Sequence, residues 1–168
     1  MMTKIFILVF VVGLLSACHK LSSDDQSKMQ ESQTMSFSEQ TLSKFSWQLV
    51  EATDAHSQRI DALFLASKPD QPITLKFAAK RLYIDNLFCN INSIGIHFKG
   101  NRLHTEQPII ATMMGCPDDI TLRESTLIQD ILVNDPTLYL QSRKGQVQLI
   151  IETPKKDKLL FNGVQVNK

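Results

Sequence analysis

Phe45-Ser46-Trp47-Gln48-Leu49 decides the architecture: large apolar side chains at 45, 47 and 49 alternate with small or amide side chains at 46 and 48. Successive side chains of an extended strand point to opposite faces, so this stretch reads as a strand with one buried face. Strand-like stretches recur outward along the chain, at 73–77, 81–84, 94–99, 102–104, 137–141, 146–152 and 158–161. Lys99-Gly100-Asn101-Arg102 and Arg143-Lys144-Gly145-Gln146 put turn-forming residues between neighbouring strand patterns. These spacings predict hairpins and therefore antiparallel pairing.

One segment departs from the two-residue rhythm. After Pro117, the carboxylates Asp118 and Asp119 suit a helix start, and Leu122, Leu127, Ile128, Ile131 and Leu132 recur at helical spacings until Asn134-Asp135-Pro136. A single amphipathic helix among about eight short strands predicts an α+β, mainly β fold. The expected form is a curled antiparallel sheet or small barrel-like domain with the helix over one face or opening.

Upstream of the first strand the composition changes. From His19 to about Ser43 the chain is rich in Ser, Gln, Asp, Glu and Lys and poor in large apolar residues, which predicts a flexible tether over 18–43 leading into a domain over 44–168. Before it lies Lys4 and then an apolar run, Ile5 to Ala17, of about 20 Å as a helix, too short for a hydrocarbon core of about 30 Å. A charged start, a short apolar middle and small residues are the layout of a secretory signal. Leu15-Ser16-Ala17-Cys18 resembles the lipobox of bacterial lipoproteins. The resemblance implies cleavage after residue 17 and lipid attachment at Cys18. His19 after the cysteine, by resemblance to enterobacterial sorting, implies the outer membrane, with the domain facing the periplasm.

The whole chain carries 18 Lys+Arg against 17 Asp+Glu. Removal of residues 1–17, whose single charge is Lys4, leaves it formally neutral, so composition points to no electrostatic partner. Nucleic-acid binding calls for a basic patch or stripe. The densest basic run, Lys155-Lys156-Asp157-Lys158, is interrupted by acid and reads as a solvated turn.

A family resemblance joins these segments. Trp47-Gln48-Leu49-Val50, Cys89-Asn90, Gly100-Asn101-Arg102-Leu103, and above all Thr112-Met113-Met114-Gly115-Cys116-Pro117 followed by Glu124 resemble the META domain, also called DUF306 or HslJ-like. The likeness runs from about residue 44 to residue 163. It implies a small bacterial envelope protein, often lipid-anchored and associated with heat or antibiotic stress. No enzymatic activity comes with it. His97 and His104 lie on separate sides of the Gly100 turn and no tight His or Cys spacing completes four ligands, so no metal or cofactor is expected.

If Cys18 is acylated, Cys89 and Cys116 remain as an even pair in an oxidising compartment, where disulfides persist. They are expected to bond, closing a loop of about 27 residues that contributes on the order of 3 kcal/mol in the chain-entropy account. Two buried free thiols are the alternative. No hydrolase elbow, phosphate loop or His-Glu-x-x-His helix occurs, so no catalytic residues are assigned. Two functions remain. One is a non-catalytic envelope module that binds a protein or envelope component. The other is a carrier of a small ligand or lipid inside the curled sheet, which fails if Trp47, Phe77, Leu82, Phe98, Leu149 and Phe161 fill the interior.

Overall fold

A computed structural model describes residues 33–64, 70–86, 93–106, 115 and 117–166. It contains nine strands: β1 (Gln33–Met35), β2 (Phe45–Thr53), β3 (Thr74–Ala78), β4 (Arg81–Asp85), β5 (Ser93–Lys99), β6 (Arg102–Thr105), β7 (Thr137–Arg143), β8 (Gln146–Glu152) and β9 (Lys158–Gln165). Each of β2 to β9 pairs antiparallel with its sequence neighbour, and β9 returns to β2, so eight strands close a ring. The mainly β, barrel-like expectation holds. Closure leaves no open edge between the first and last ring strands.

Because every ring neighbour is antiparallel, the connections alternate between two ends. One end carries the tight turns at 79–80, 100–101 and 144–145, and the other carries the long connections 54–73, 86–92, 106–136 and 153–157. At the turn end Ala79 and Lys80 have φ of 48° and 60°, and Lys144 and Gly145 have 53° and 77°. Two positive values in succession match the twist of a two-residue hairpin.

Trp47, Leu82, Leu149 and Phe161 are 0% exposed and Phe77 is 5% exposed, with Phe98 packed against this core. Side chains of the described residues therefore fill the ring at the positions on which the carrier reading depended, which counts against an open interior. In β2 the register with β9 shifts between Leu49 and Glu51, a bulge that leaves Val50 outside. That extra residue lets Leu49 and Ala52, three apart in sequence, both point inward.

The ring is thinnest between β6 and β7, which share the register pair Arg102 with Thr137. Leu103 N–H donates to Pro136 O and Leu138 N–H to Asn101 O, and the Asn101 side chain donates to Leu138 O. Along the remainder of that β7 edge, β1 pairs Gln33 with Ser142 and Met35 with Leu140. Phe37 follows and meets Phe98 edge-on, with ring centroids 5.4 Å apart. A short helix, α1 (Glu39–Leu42), then buries Leu42 completely. The tether expected over 18–43 is thus corrected. Its last part is folded from Gln33, because β1 satisfies backbone groups of β7 that β6 does not reach. Residues 1–32, including the expected signal and Cys18, lie outside the described residues.

The second helix, α2 (Asp118–Ser125), begins after Pro117 and has no side-chain cap. Asp118 and Asp119 stand in its first turn, where the helix dipole favours carboxylates. It widens into a π-helical turn at Thr126–Ile131 and tightens into a 3-10 turn at Leu132–Asn134. Leu127, Ile128, Ile131 and Leu132 join the core, but Leu122 is 57% exposed. The buried position of α2 is the next one, Arg123, so the inward face is set one residue later than the apolar pattern suggested.

Trp47 ties the turn end together: its indole Nε1–H donates to Leu42 O at 2.9 Å, anchoring α1. Replacing Trp47 with Phe keeps most of the ring volume but strands the Leu42 carbonyl. Urea unfolding followed by far-ultraviolet circular dichroism should show a loss of roughly 1–3 kcal/mol.

Candidate functional site

Three local arrangements stand out from the packed ring. At the long-connection end, Arg123 of α2 is 2% exposed. Its Nε donates to Leu63 O at 3.1 Å and its Nη1 to Asn86 O at 2.8 Å. One guanidinium thereby links α2 to the connections that follow β2 and β4. Burial pushes Arg123 below its usual value, and the nearby Asp119 carboxylate partly restores it. The adjacent Glu124 is raised by partial burial. Sequence reading passed over Arg123, since a charged residue beside a leucine reads as surface.

The second arrangement lies beside the β6–β7 seam. His97 and His104 are cross-strand partners, stacked with centroids 5.1 Å apart and planes 16° from parallel. His104 Nδ1 bonds Asp135 Oδ1 at 2.9 Å, and Asp135 sits in the left-handed region at φ 50°. An aspartate holding an imidazole by Nδ1 is part of a nucleophilic triad. Here, however, His104 Nε2 is buried and meets no hydrogen-bonding partner among the described residues. Among the described residues, no group of three or more His, Cys, Asp or Glu side chains is arranged to hold a metal ion.

The third is the outer wall of β7, β8, β9 and β2. Leu138, Leu140, Leu149, Ile151, Leu159 and Phe161 point inward, so the intervening residues face out. Register places Tyr139 beside Ile150 and Ile150 beside Leu160, with Glu51 of β2 next in the row and Val50 in the bulge beside it. Tyr139 is 42% and Val50 45% exposed. Parallel to this apolar row runs an amide ladder. Gln141 Nε2 donates to Gln148 Oε1 at 2.8 Å, and Gln148 Nε2 donates to Asn162 Oδ1 at 3.0 Å. On the other side of the apolar row from this ladder lie Glu152, Lys156 and Lys158, joined by ion pairs at 2.9 and 3.5 Å. The Lys156 hydrogen bond holds Glu152 below the usual carboxylate range. The wall is thus a strip of hydrocarbon and one phenol between amides and charges.

The residues named from sequence as lipid attachment, Cys18, and as a disulfide, Cys89 and Cys116, lie outside the described residues. Gly115 and Pro117, which flank Cys116, are both exposed and lead into α2. Replacement of Arg123 by Met should cost on the order of 3 kcal/mol, because two carbonyls lose a charged donor. Hydrogen exchange should then accelerate around Leu63 and Asn86 first, while the amides of β8 and β9 stay protected until global unfolding.

Among solved structures, the chain is similar to a protein from Burkholderia xenovorans, determined by NMR. It shares 18% identity over 77% of this chain and 90% of that one, with a TM-score of 0.58, so the likeness is one of fold. No curated protein matches the chain. The META domain profile matches residues 40–165, which begins within α1 and takes in the whole ring and the helical connection. The chain belongs to the META domain family.

Proposed function

We propose that the protein is a lipid-anchored, non-catalytic component of the bacterial cell envelope, held by Cys18 on the outer membrane and facing the periplasm. In this reading it supports envelope integrity under heat or antibiotic stress by binding a protein partner through the outer wall. The observation that carries the binding reading is the row Tyr139, Ile150 and Leu160, with Val50 beside it. A filled interior leaves the outside of the ring as the surface available for recognition. Aromatic residues next to aliphatic ones, rimmed by amides and charges, are the composition of an interface centre and its rim.

The anchor and the cysteine pair belong to the same proposal. The acyl chains on Cys18 supply membrane affinity at about 0.8 kcal/mol per buried CH₂. Cys89 and Cys116 then form the disulfide that an oxidising compartment favours. Alkylation of the purified protein before and after reduction checks the pairing: two thiols that react only after reduction support it, and two that react beforehand exclude it.

A photo-crosslinking amino acid at position 139, in the full chain in its native envelope, tests the wall. A dominant protein adduct is expected, weakened several-fold when Leu160 is replaced by Glu and lost from the membrane fraction when Cys18 is replaced by Ser. The same adduct yield from a probe at exposed Lys155 would remove the wall from the proposal.

A further inference from the structure

Closing the ring sorts its charges. Each tight turn carries a pair of cations: Lys80 and Arg81, Lys99 and Arg102, Arg143 and Lys144. Antiparallel order brings all three turns to one end of the barrel, where Lys44 also stands at the start of β2. Every one of these side chains is exposed. None belongs to an ion pair among the described residues; the pairs there involve Arg59, Lys76, His104, Lys156 and Lys158. Glu39 in α1 is the acid of this end among the described residues. The opposite end carries Asp54, Asp61, Asp118, Asp119 and Asp130 in its long connections, and of its cations Arg59 pairs with Asp61 while Lys156 and Lys158 pair with Glu152, with Lys155 beside them. A chain with nearly balanced charge therefore gathers most of its unpaired cations at the turn end, and the neutral composition concealed an electrostatic surface.

The same end receives the N-terminal chain. Gln33 pairs with Ser142, one residue before Arg143, so residues 1–32 attach beside the third basic turn. Apolar groups lie among the cations: Val164 and Val166 are 46% and 51% exposed, and an open cleft of about 550 Å³ between α1 and the end of β9 has Phe45 and Lys44 in its wall.

We propose that the basic turn end docks on an anionic phospholipid surface. Cations spread over one face, with hydrocarbon between them, match the headgroup region of a bilayer that carries negative lipids. The orientation rests on the anchor and tether readings above: about 15 residues lie between Cys18 and Gln33, and a chain of that length with the tether composition read from the sequence would have a root-mean-square span of roughly 20 Å, which keeps this end close to the surface. Docking presents the acidic end and the long connections away from the membrane. It stands the wall of Tyr139 upright between the two.

Amine acylation of the full chain in vesicles, read lysine by lysine by mass spectrometry, tests this. Lys80, Lys99 and Lys144 should react several-fold more slowly in vesicles containing phosphatidylglycerol than in phosphatidylcholine alone. Lys155, Lys156 and Lys158, at the opposite end, should react equally in both. Raising salt to about 0.5 M should abolish the difference, since screening then acts within a few ångströms. The variant Lys99→Glu with Lys144→Glu changes only exposed turn residues, and should bring the protection of Lys80 to the phosphatidylcholine level. Equal labelling at the three lysines in both vesicle types, with the chain membrane-associated, overturns docking but leaves the anchor intact. Failure to associate with phosphatidylcholine vesicles counts against the anchor, and salt-sensitive protection in phosphatidylglycerol vesicles still supports docking. No association with either overturns both. Stronger protection of the same lysines by duplex DNA at equal salt overturns a lipid surface as the occupant.

Discussion

Everything in this fold depends on the pairing of β2 with β9, which joins the first and last strands of the ring over nearly their full length, from Phe45 opposite Gln165 to Thr53 opposite Lys158. The contact is tight where the aromatic side chains of β2 cross Gly163 of β9. A Cβ at Gly163 would stand 2.9 Å from Phe45 Cδ1 and 3.0 Å from Trp47 Cζ3, closer than ordinary carbon contacts. Glycine at that position lets both aromatic rings lie across β9, and Trp47 in turn holds α1. Because the pair unites residues more than a hundred apart in sequence, the chain must order most of the ring before this contact repays its entropy.

How much of this was readable depends on whether a feature is local. The strand at 146–152 coincides with β8, and 158–161 falls within β9, because burial alternates from Leu149 to Glu152 in the first and from Lys158 to Gly163 in the second. The bulge at Val50 was not readable: it shows only through the partner strand, and Val50 looks like any core valine. Residues 33–37 read as tether because three residues of strand carry too little hydrophobic pattern to register, and their place is created by the edge that β7 leaves open. The helix was legible in extent but not in phase, since Leu122 is apolar and exposed while Arg123 is charged and buried.

The candidate surfaces were less legible than the fold. Gln141, Gln148 and Asn162 form a ladder only after three strands come into register. His97 and His104 are seven apart in sequence, and only the hairpin stacks them. The charge polarity of the barrel is the extreme case. Its cations occur in pairs separated by some twenty to forty residues, and strand direction alone decides that they share an end. Net charge, a sum over residues, carries no information about such a distribution.

The short edge strand β1 has a mechanical consequence. The chain enters it at Gln33, the residue nearest the basic turns, so tension applied from the N-terminal side falls on the three pairs of β1 with β7 before it reaches any ring strand. Release of β1 and α1 pays out about twelve residues of slack, roughly 40 Å when drawn out, before any load falls on β2. The first elements of the fold thus act as a yielding coil of rope beside a stiff drum: the ring keeps its shape while the distance to its attachment lengthens.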